Sequence, residues 1–243
     1  VARDIPDHLY TAYAQDEWKA VAGLTLNLGV RLDYQTMAWD EWVDPNRYPR
    51  KLPYVDFASR GGKPLWQPRI GVAWDLFRNG KTVLRGGYGT AYQVFFNGNQ
   101  GNELVALLQN NVNITNPTYP DPFGGRDPIS FVSTAPPNIG IMANDLRNAK
   151  VETSSVGFSQ QLGNGTAVNL DVIDQHTTRL PATVNVNQPV AGSTVRPLPE
   201  WGQINMVKTI GSYDYRALLV RLEKRLSNHY QYQVAYTLGK QNT

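Results

Sequence analysis

The side chains able to do chemistry are few and widely spaced. His8, His176 and His229 are the only histidines in the 243 residues. Their spacing matches no metal motif, and each falls at an expected strand end or turn, so they read as solvated turn residues. No metal and no cofactor is expected. No H-x-x-x-H, P-loop or dinucleotide fingerprint occurs. Ser159 in "GFSQQ" lacks the closing glycine of a nucleophile elbow and sits in mid-strand. "RGGYG", Arg85 to Gly89, lies inside a strand, where glycines mark a bend or a close backbone approach more simply than a phosphate cradle. Paired carboxylates could hydrolyse glycosides if held about 5 Å or about 6.5–9.5 Å apart. Asp33, Asp75 and Asp171 fall on polar strand parities, and Asp174 on an apolar parity near a strand end. Beside Arg31, Arg69 and Arg85 they read as a charge ladder in a wet interior. No catalytic residue is expected.

Aromatic residues in long polar segments make a better case. Trp39, Trp42, Tyr48, Trp66, Tyr119 and Trp201 sit among Asn, Asp and Arg. Aromatic faces with polar neighbours suit glycans, peptides or other small nutrients, and loops on a rigid scaffold commonly carry binding. These six are the expected ligand-binding residues, set against the simpler reading that they pack the loops onto one another.

The elements that would position them follow from a period of two. In "LTLNLGVRLDY", Leu24, Leu26, Leu28, Val30, Leu32 and Tyr34 share one parity, and Thr25, Asn27, Gly29, Arg31 and Asp33 the other. Eleven such residues span about 36 Å, longer than the usual strand of about five or six residues. The alternation recurs in hairpins at about 9–34, 68–92, 151–176 and 213–238, each closed by a short turn: "KAVAG", "RNGK", "GNGT" and "SNHY". The connections between hairpins, about 35–67, 93–150 and 177–212, are long and rich in Pro, Asn and Gly. Short turns on one side and long loops on the other, with strands of bilayer-spanning length, predict an antiparallel up-and-down β-barrel, partial or small, with about eight strands. The alternative is a soluble β-sandwich, whose strands also alternate, and which would bind or hydrolyse a carbohydrate.

Composition bounds the partners. Hydrophobic residues make up 41%, and there are 13 Tyr, 6 Trp and no Cys. A disulfide scaffold and thiolate metal sites are excluded. The net charge of +3 comes from scattered residues, which makes no case for nucleic acid. Mean hydropathy is −0.41, and no apolar run reaches the roughly 18 residues of a transmembrane helix. A membrane barrel escapes that criterion, because its apolar residues come at every second position. Aromatics near the expected strand ends, Tyr13, Trp18, Tyr34, Trp39, Trp74, Tyr88, Tyr92 and Tyr236, suit interfacial girdles.

Four stretches together resemble the barrel of TonB-dependent outer-membrane receptors, the Oar-like group above all. They are "YAQDEWKAVAGLTLNLGVRLDY", "QPRIGVAWDLFRNGKTVLRGGYGTAY", "VETSSVGFSQQLGNGTAVNLDVI" and "YDYRALLVRLEKRLSNHYQYQVAYTLGK". They cover roughly half the chain in the family's order. The resemblance implies an outer-membrane location in a Gram-negative-type bacterium, outer-membrane lipid as a partner, and uptake of a nutrient driven through the TonB system. It implies an N-terminal plug, an energy-coupling box, a larger barrel and a last strand ending in an aromatic residue, none of which these residues supply. With the short turns periplasmic, both ends of the chain fall on the extracellular side. The expectation is an internal part of a receptor whose remainder supplies the missing strands and plug. The chain opens at Val1 on "ARDIPDHLY", so the expectation is that a signal peptide has been removed or that the chain starts inside a longer gene product.

Overall fold

The computed structural model describes residues 7–48, 51–94, 103, 106–107, 112, 114–132, 135–163, 165–227 and 229–243. Asn164 and Asn228, in two of the expected turns, lie outside them. The strands are β1 (His8–Val21), β2 (Leu24–Thr36), β3 (Leu65–Asp75), β4 (Thr82–Tyr92), β5 (Ile139–Met142), β6 (Lys150–Gly163), β7 (Thr166–Asn185), β8 (Ile204–Ser227) and β9 (Tyr230–Asn242). They form one sheet, in which the eight long strands run β1-β2-β3-β4-β6-β7-β8-β9, each antiparallel to the next. Among the described residues β1 pairs only with β2 and β9 only with β8, so both edges are open. No second sheet packs on this one among those residues, so the two-layer sandwich is set aside.

Two expectations are corrected. The connection at 93–150 contains β5, a four-residue strand that pairs in parallel with Ile204–Val207 of β8. It is too short to show a period. The connection at 177–212 shrinks to 186–203, because β7 and β8 pair on from Thr178–Ser212 to Asn185–Asn205. The extension is concealed in the sequence by a register break at Arg179, which sits at φ 61°, and by Pro181, which lacks an N–H for the ladder.

One parity carries an apolar band on the long strands from β2 to β9: Leu24–Leu32, Ile70–Trp74, Leu84, Val156, Phe158, Val168–Val172, Leu218–Leu222 and Val234–Leu238; on β1 the same parity holds Tyr10, Ala12, Ala14 and Trp18 and also Asp16, opposite Leu28. These side chains stand open, with Leu28 at 43%, Val172 at 54% and Leu238 at 59% exposure. The opposite parity is polar, and at the long-loop end the loops fold over it. Asp33, Gln35, Leu65, Gln67 and Thr177 are buried there. The polar parity is therefore the inner face and the apolar parity the outer one.

The apolar band slides along the register. It ends on β9 at Leu238, which leads through Leu218, Val172, Val156, Gly86 and Val72 to Leu26 on β2. On β2 the band continues to Tyr34. That is about eight residues over six strand-to-strand steps, about 26 Å along the strands against about 29 Å across them. The strands thus cross a flat apolar layer at a tilt of about 40°, as membrane barrel strands do. Tyr10, Tyr34, Trp66 and Tyr88 stand on the outer parity toward the long-loop end. Trp18, Trp74 and Tyr232 do so toward the short turns, where the Nζ of Lys224 lies 4.3 Å from the centre of the Tyr230 ring. Tyr13 pairs with Arg31 on the inner parity, and Trp39 lies in a loop, so neither belongs to a girdle.

Inside, charge is matched across strands. Asp33 accepts from Thr11 at 2.9 Å, Arg31 at 2.8 Å and Gln67 at 2.7 Å. Arg85 on β4 reaches over β6 to Asp171 on β7, donating at 2.8 and 3.1 Å. Gly157 between them allows this: a Cβ there would lie 2.2 Å from Oδ1 of Asp171.

Two outcomes follow. Val220→Arg on the outer face should cost about 2–4 kcal/mol in a bilayer, against little for the inner-face Gln233→Lys, as read by denaturant unfolding in lipid vesicles. Gly157→Ala should break the Arg85–Asp171 pair, and Asp171→Ala made in that background should then add little further loss of stability.

Candidate functional site

Three loops, 37–64, 93–149 and 186–203, meet at one end of the sheet and share a hydrophobic core. Ala38 and Trp39 from the first pack with Ala106, Ile139, Ile141, Met142, Ala143 and Leu146 from the second. Trp201, Ile204 and Met206 join them from the third loop and the start of β8. Since β2 and β8 stand far apart along the sheet, these contacts bridge the mouth. Gly62 permits the closest approach of loop to wall, for a Cβ there would overlap the carbonyl oxygen of Gln35.

Polar groups lock the assembly. The buried guanidinium of Arg60 donates to both carboxylate oxygens of Glu103, at 2.6 and 3.1 Å, and to the carbonyl of Met142. Glu103 also accepts from the Met142 N–H at 2.5 Å. Asn144 ties the first and second loops through the Asp56 N–H at 3.0 Å and the Tyr54 carbonyl at 3.2 Å. In the third loop, the buried Asn187 side chain donates to the carbonyls of Leu198, Trp201 and Gly202 and accepts from the Leu198 N–H, all at 2.9–3.1 Å. Asp40 is fully buried, and neither carboxylate oxygen has a hydrogen-bond partner among the described residues. Burial pushes it up to about 8, with the negative charge of Glu103 adding to the rise and Arg60 opposing it. A neutral Asp40 beside the Arg60–Glu103 pair leaves this interior without net charge.

The six aromatics divide by place. Trp39 and Trp201 are buried in the shared core. Trp42 and Tyr48 are half-buried against a second cluster of Val43, Phe57 and Leu107. Tyr119 is 97% exposed at the tip of the second loop. Trp66 is exposed on the outer face of β3. Below the loops, the inner wall of β1–β3 forms an open trough of about 440 Å³ lined by Gln15, Glu17, Asn27, Gly29, Arg69 and Gly71, where Gly29 and Gly71 leave room. The four carboxylates weighed for hydrolysis are engaged: Asp33 and Asp171 as above, Asp174 with Arg216 on the outer face at 2.5 Å, and Asp75 through one oxygen that accepts from the Gly80 N–H at 2.7 Å. His176 sits against Asp214 at 2.5 Å, also outside. Among the described residues no three His, Asp or Glu side chains cluster to hold a metal.

Sequence reasoning missed Asp40, Arg60, Glu103 and Asn187. The one available signal was a lone acid opening the apolar run "ELVALL" inside a polar loop.

Residues 2–243 match the family model described as outer membrane beta barrel domain. The chain belongs to that family. A search of curated proteins returns no match. Among solved structures, the outer membrane transporter YddB from Escherichia coli superposes with a TM-score of 0.61 at 15% identity, over 97% of this chain and 25% of that one. The siderophore receptor PirA from Pseudomonas aeruginosa gives 0.55 at 14%, over 97% and 34%. The FrpB iron transporter from Neisseria meningitidis gives 0.54 at 13%, over 97% and 26%. The chain thus spans about a quarter to a third of the length of these structures. The outer face of this outer membrane barrel wall meets lipid in the Gram-negative outer membrane, with its short turns on one side of the bilayer and its three loops on the other.

Asp40 gives the mouth a pH dependence. A carboxyl raised from 3.8 unfolded to about 8 folded contributes its stabilisation in full at low pH and loses it as pH rises through about 8. Hydrogen exchange of the Ala143 and Leu146 amides should quicken progressively as pH rises from about 4 to about 8 and level off above that, after correction for intrinsic rates. Asp40→Asn should remove that change, and an identical rise in the variant would contradict the assignment.

Proposed function

We propose that this chain is an internal run of wall strands and mouth loops from a TonB-dependent receptor of the Oar-like group, which binds a nutrient outside the cell and passes it inward. The four hairpin stretches that resemble that group support the finer assignment. The observation that carries the reading is the fold of three loops into one core at one end of the polar wall, which leaves Trp42 and Tyr48 half-buried and Tyr119 exposed among them.

In this reading Trp42, Tyr48 and Tyr119 contact the ligand, a small nutrient, glycan or peptide, while Trp39 and Trp201 brace the rim from beneath. Trp66 serves the lipid interface. The open edges of β1 and β9 pair with the receptor's remaining strands, since an unpaired ladder cannot face hydrocarbon. The plug rests against the inner wall, and the TonB system acts through the plug. The names of the structural neighbours, a siderophore receptor and an iron transporter, make ferric chelates the first ligands to try.

The test uses cells that depend on the full-length receptor for growth on ferric siderophores, oligosaccharides or peptides, each supplied as the limiting source. Trp42→Ala with Tyr48→Ala and Tyr119→Ala should raise the half-saturating concentration of one of these by about tenfold or more, with receptor abundance unchanged. Equal uptake by the triple variant at every ligand would contradict the rim assignment.

A further inference from the structure

The turn between β3 and β4 carries the dipeptide Asn79–Gly80, both residues exposed. The turn, residues 76–81, is closed by the Leu76 N–H on the Thr82 carbonyl at 3.0 Å. The Gly80 N–H donates to Oδ2 of Asp75 at 2.7 Å. The Lys81 N–H donates to Oδ1 of Asn79 at 2.9 Å. Asp75 is itself fixed: its N–H donates to the Gly23 carbonyl at 2.7 Å, and its carbonyl accepts from Arg78 at 3.3 Å. Its Oδ1 is buried without a hydrogen-bond partner among the described residues. Gly80 sits at φ 70°, and no atom lies within 4 Å of where a Cβ would stand, so that side of its backbone is open. These are the parts of an acyl transfer. The side-chain amide carbon of Asn79 is the electrophile, and the Gly80 nitrogen, next to it in the chain, is the nucleophile. A peptide nitrogen attacks as its proton leaves, and here a carboxylate already holds that proton. A backbone N–H already points at the oxygen on which negative charge develops.

We propose that Asn79 is a self-deamidation site, with Asp75 as its base. The Gly80 nitrogen forms a bond to Cγ of Asn79 and gives its proton to Oδ2 of Asp75. The negative oxygen of the tetrahedral adduct rests against the Lys81 N–H. The adduct collapses by breaking the Cγ–Nδ2 bond. The leaving nitrogen takes the proton from Asp75 and departs as ammonia, which restores the carboxylate and leaves a five-membered succinimide. Water, which reaches both exposed residues, then opens one of the two imide bonds to the Gly80 nitrogen. One opening gives an aspartyl residue, and the other an isoaspartyl residue whose backbone runs through Cγ. Either product adds one negative charge between Arg78 and Lys81. The same dipeptide recurs at Asn164–Gly165, between β6 and β7. No carboxylate accepts from the Gly165 N–H among the described residues, so that dipeptide serves as an internal reference.

The experiment follows the full-length protein, folded in detergent, over days at neutral pH. Peptide mapping by mass spectrometry reads the conversion of amide to acid at Asn79 and separates the isoaspartyl peptide by its elution. A synthetic peptide of residues 73–84 is the unstructured reference. Asn79 in the folded protein should convert about tenfold or more faster than in the peptide, and faster than Asn164 in the same map. Asp75→Asn, which keeps an oxygen in place but cannot take the proton, should bring the rate down to that of the peptide. The pH profile needs no variant. A reaction run by a fixed carboxylate holds a level rate across neutral pH, whereas in the peptide the rate rises in proportion to hydroxide. Conversion no faster in the folded protein than in the peptide, a rate that follows hydroxide in both, or a rate unchanged in Asp75→Asn would overturn the assignment.

Discussion

Hydrocarbon forms no hydrogen bonds, and the rest of this structure depends on that. A backbone N–H or C=O left open to lipid costs several kcal/mol, so every wall strand must pair along its length with a neighbour on each side. Pairing at this length forces a strict alternation of faces. One face must then be apolar from boundary to boundary, and the other is free to be polar. The outer band from Leu24 to Leu238 and the inner ladders of Asp33 and Arg85 are two results of that one requirement.

Tilt links the faces to the ends. The band slides along the register from β2 to β9, so residues in one hydrogen-bonded row do not share one depth. Leu28 and Ile70 lie in the row of Asp174, Arg216 and Lys240. The first pair sits within the apolar layer and the last three above it. Strands that rise beyond the layer also give the mouth its frame. β8 runs past the end of β9 and offers its free edge to β5, which carries the second loop across to the first and third. The shared core of Trp39, Met142 and Trp201 then holds the mouth by ordinary burial, with Arg60 and Glu103 satisfying each other inside it.

The long strands were legible because lipid exposure enforces a period of two, and Leu24–Tyr34 shows it without interruption. Their true ends were less so. Beyond the layer no solvent enforces the alternation, and Pro181 and the break at Arg179 hide the outer part of β7. The mouth was the least legible part. Its residues come from segments far apart in sequence, so the meeting of Asp40, Arg60 and Glu103 leaves no periodic trace. Loop aromatics could be found by type, but whether each would be buried in the shared core, as Trp39 and Trp201 are, or left exposed, as Tyr119 is, depends on which loops converge. Trp66 belonged to a strand parity that begins two residues earlier than its pattern suggested.

The central claim is that one face of this sheet meets lipid and the other water. The chain has no cysteine, so single cysteines can be placed along β8 from Ala217 to Glu223 and spin-labelled in the bilayer-inserted protein. Collision with oxygen, which concentrates in hydrocarbon, should peak at Leu218, Val220 and Leu222. Collision with a water-soluble nickel chelate should peak at Leu219, Arg221 and Glu223. Profiles that rise and fall together, or that show no period of two, would contradict the account.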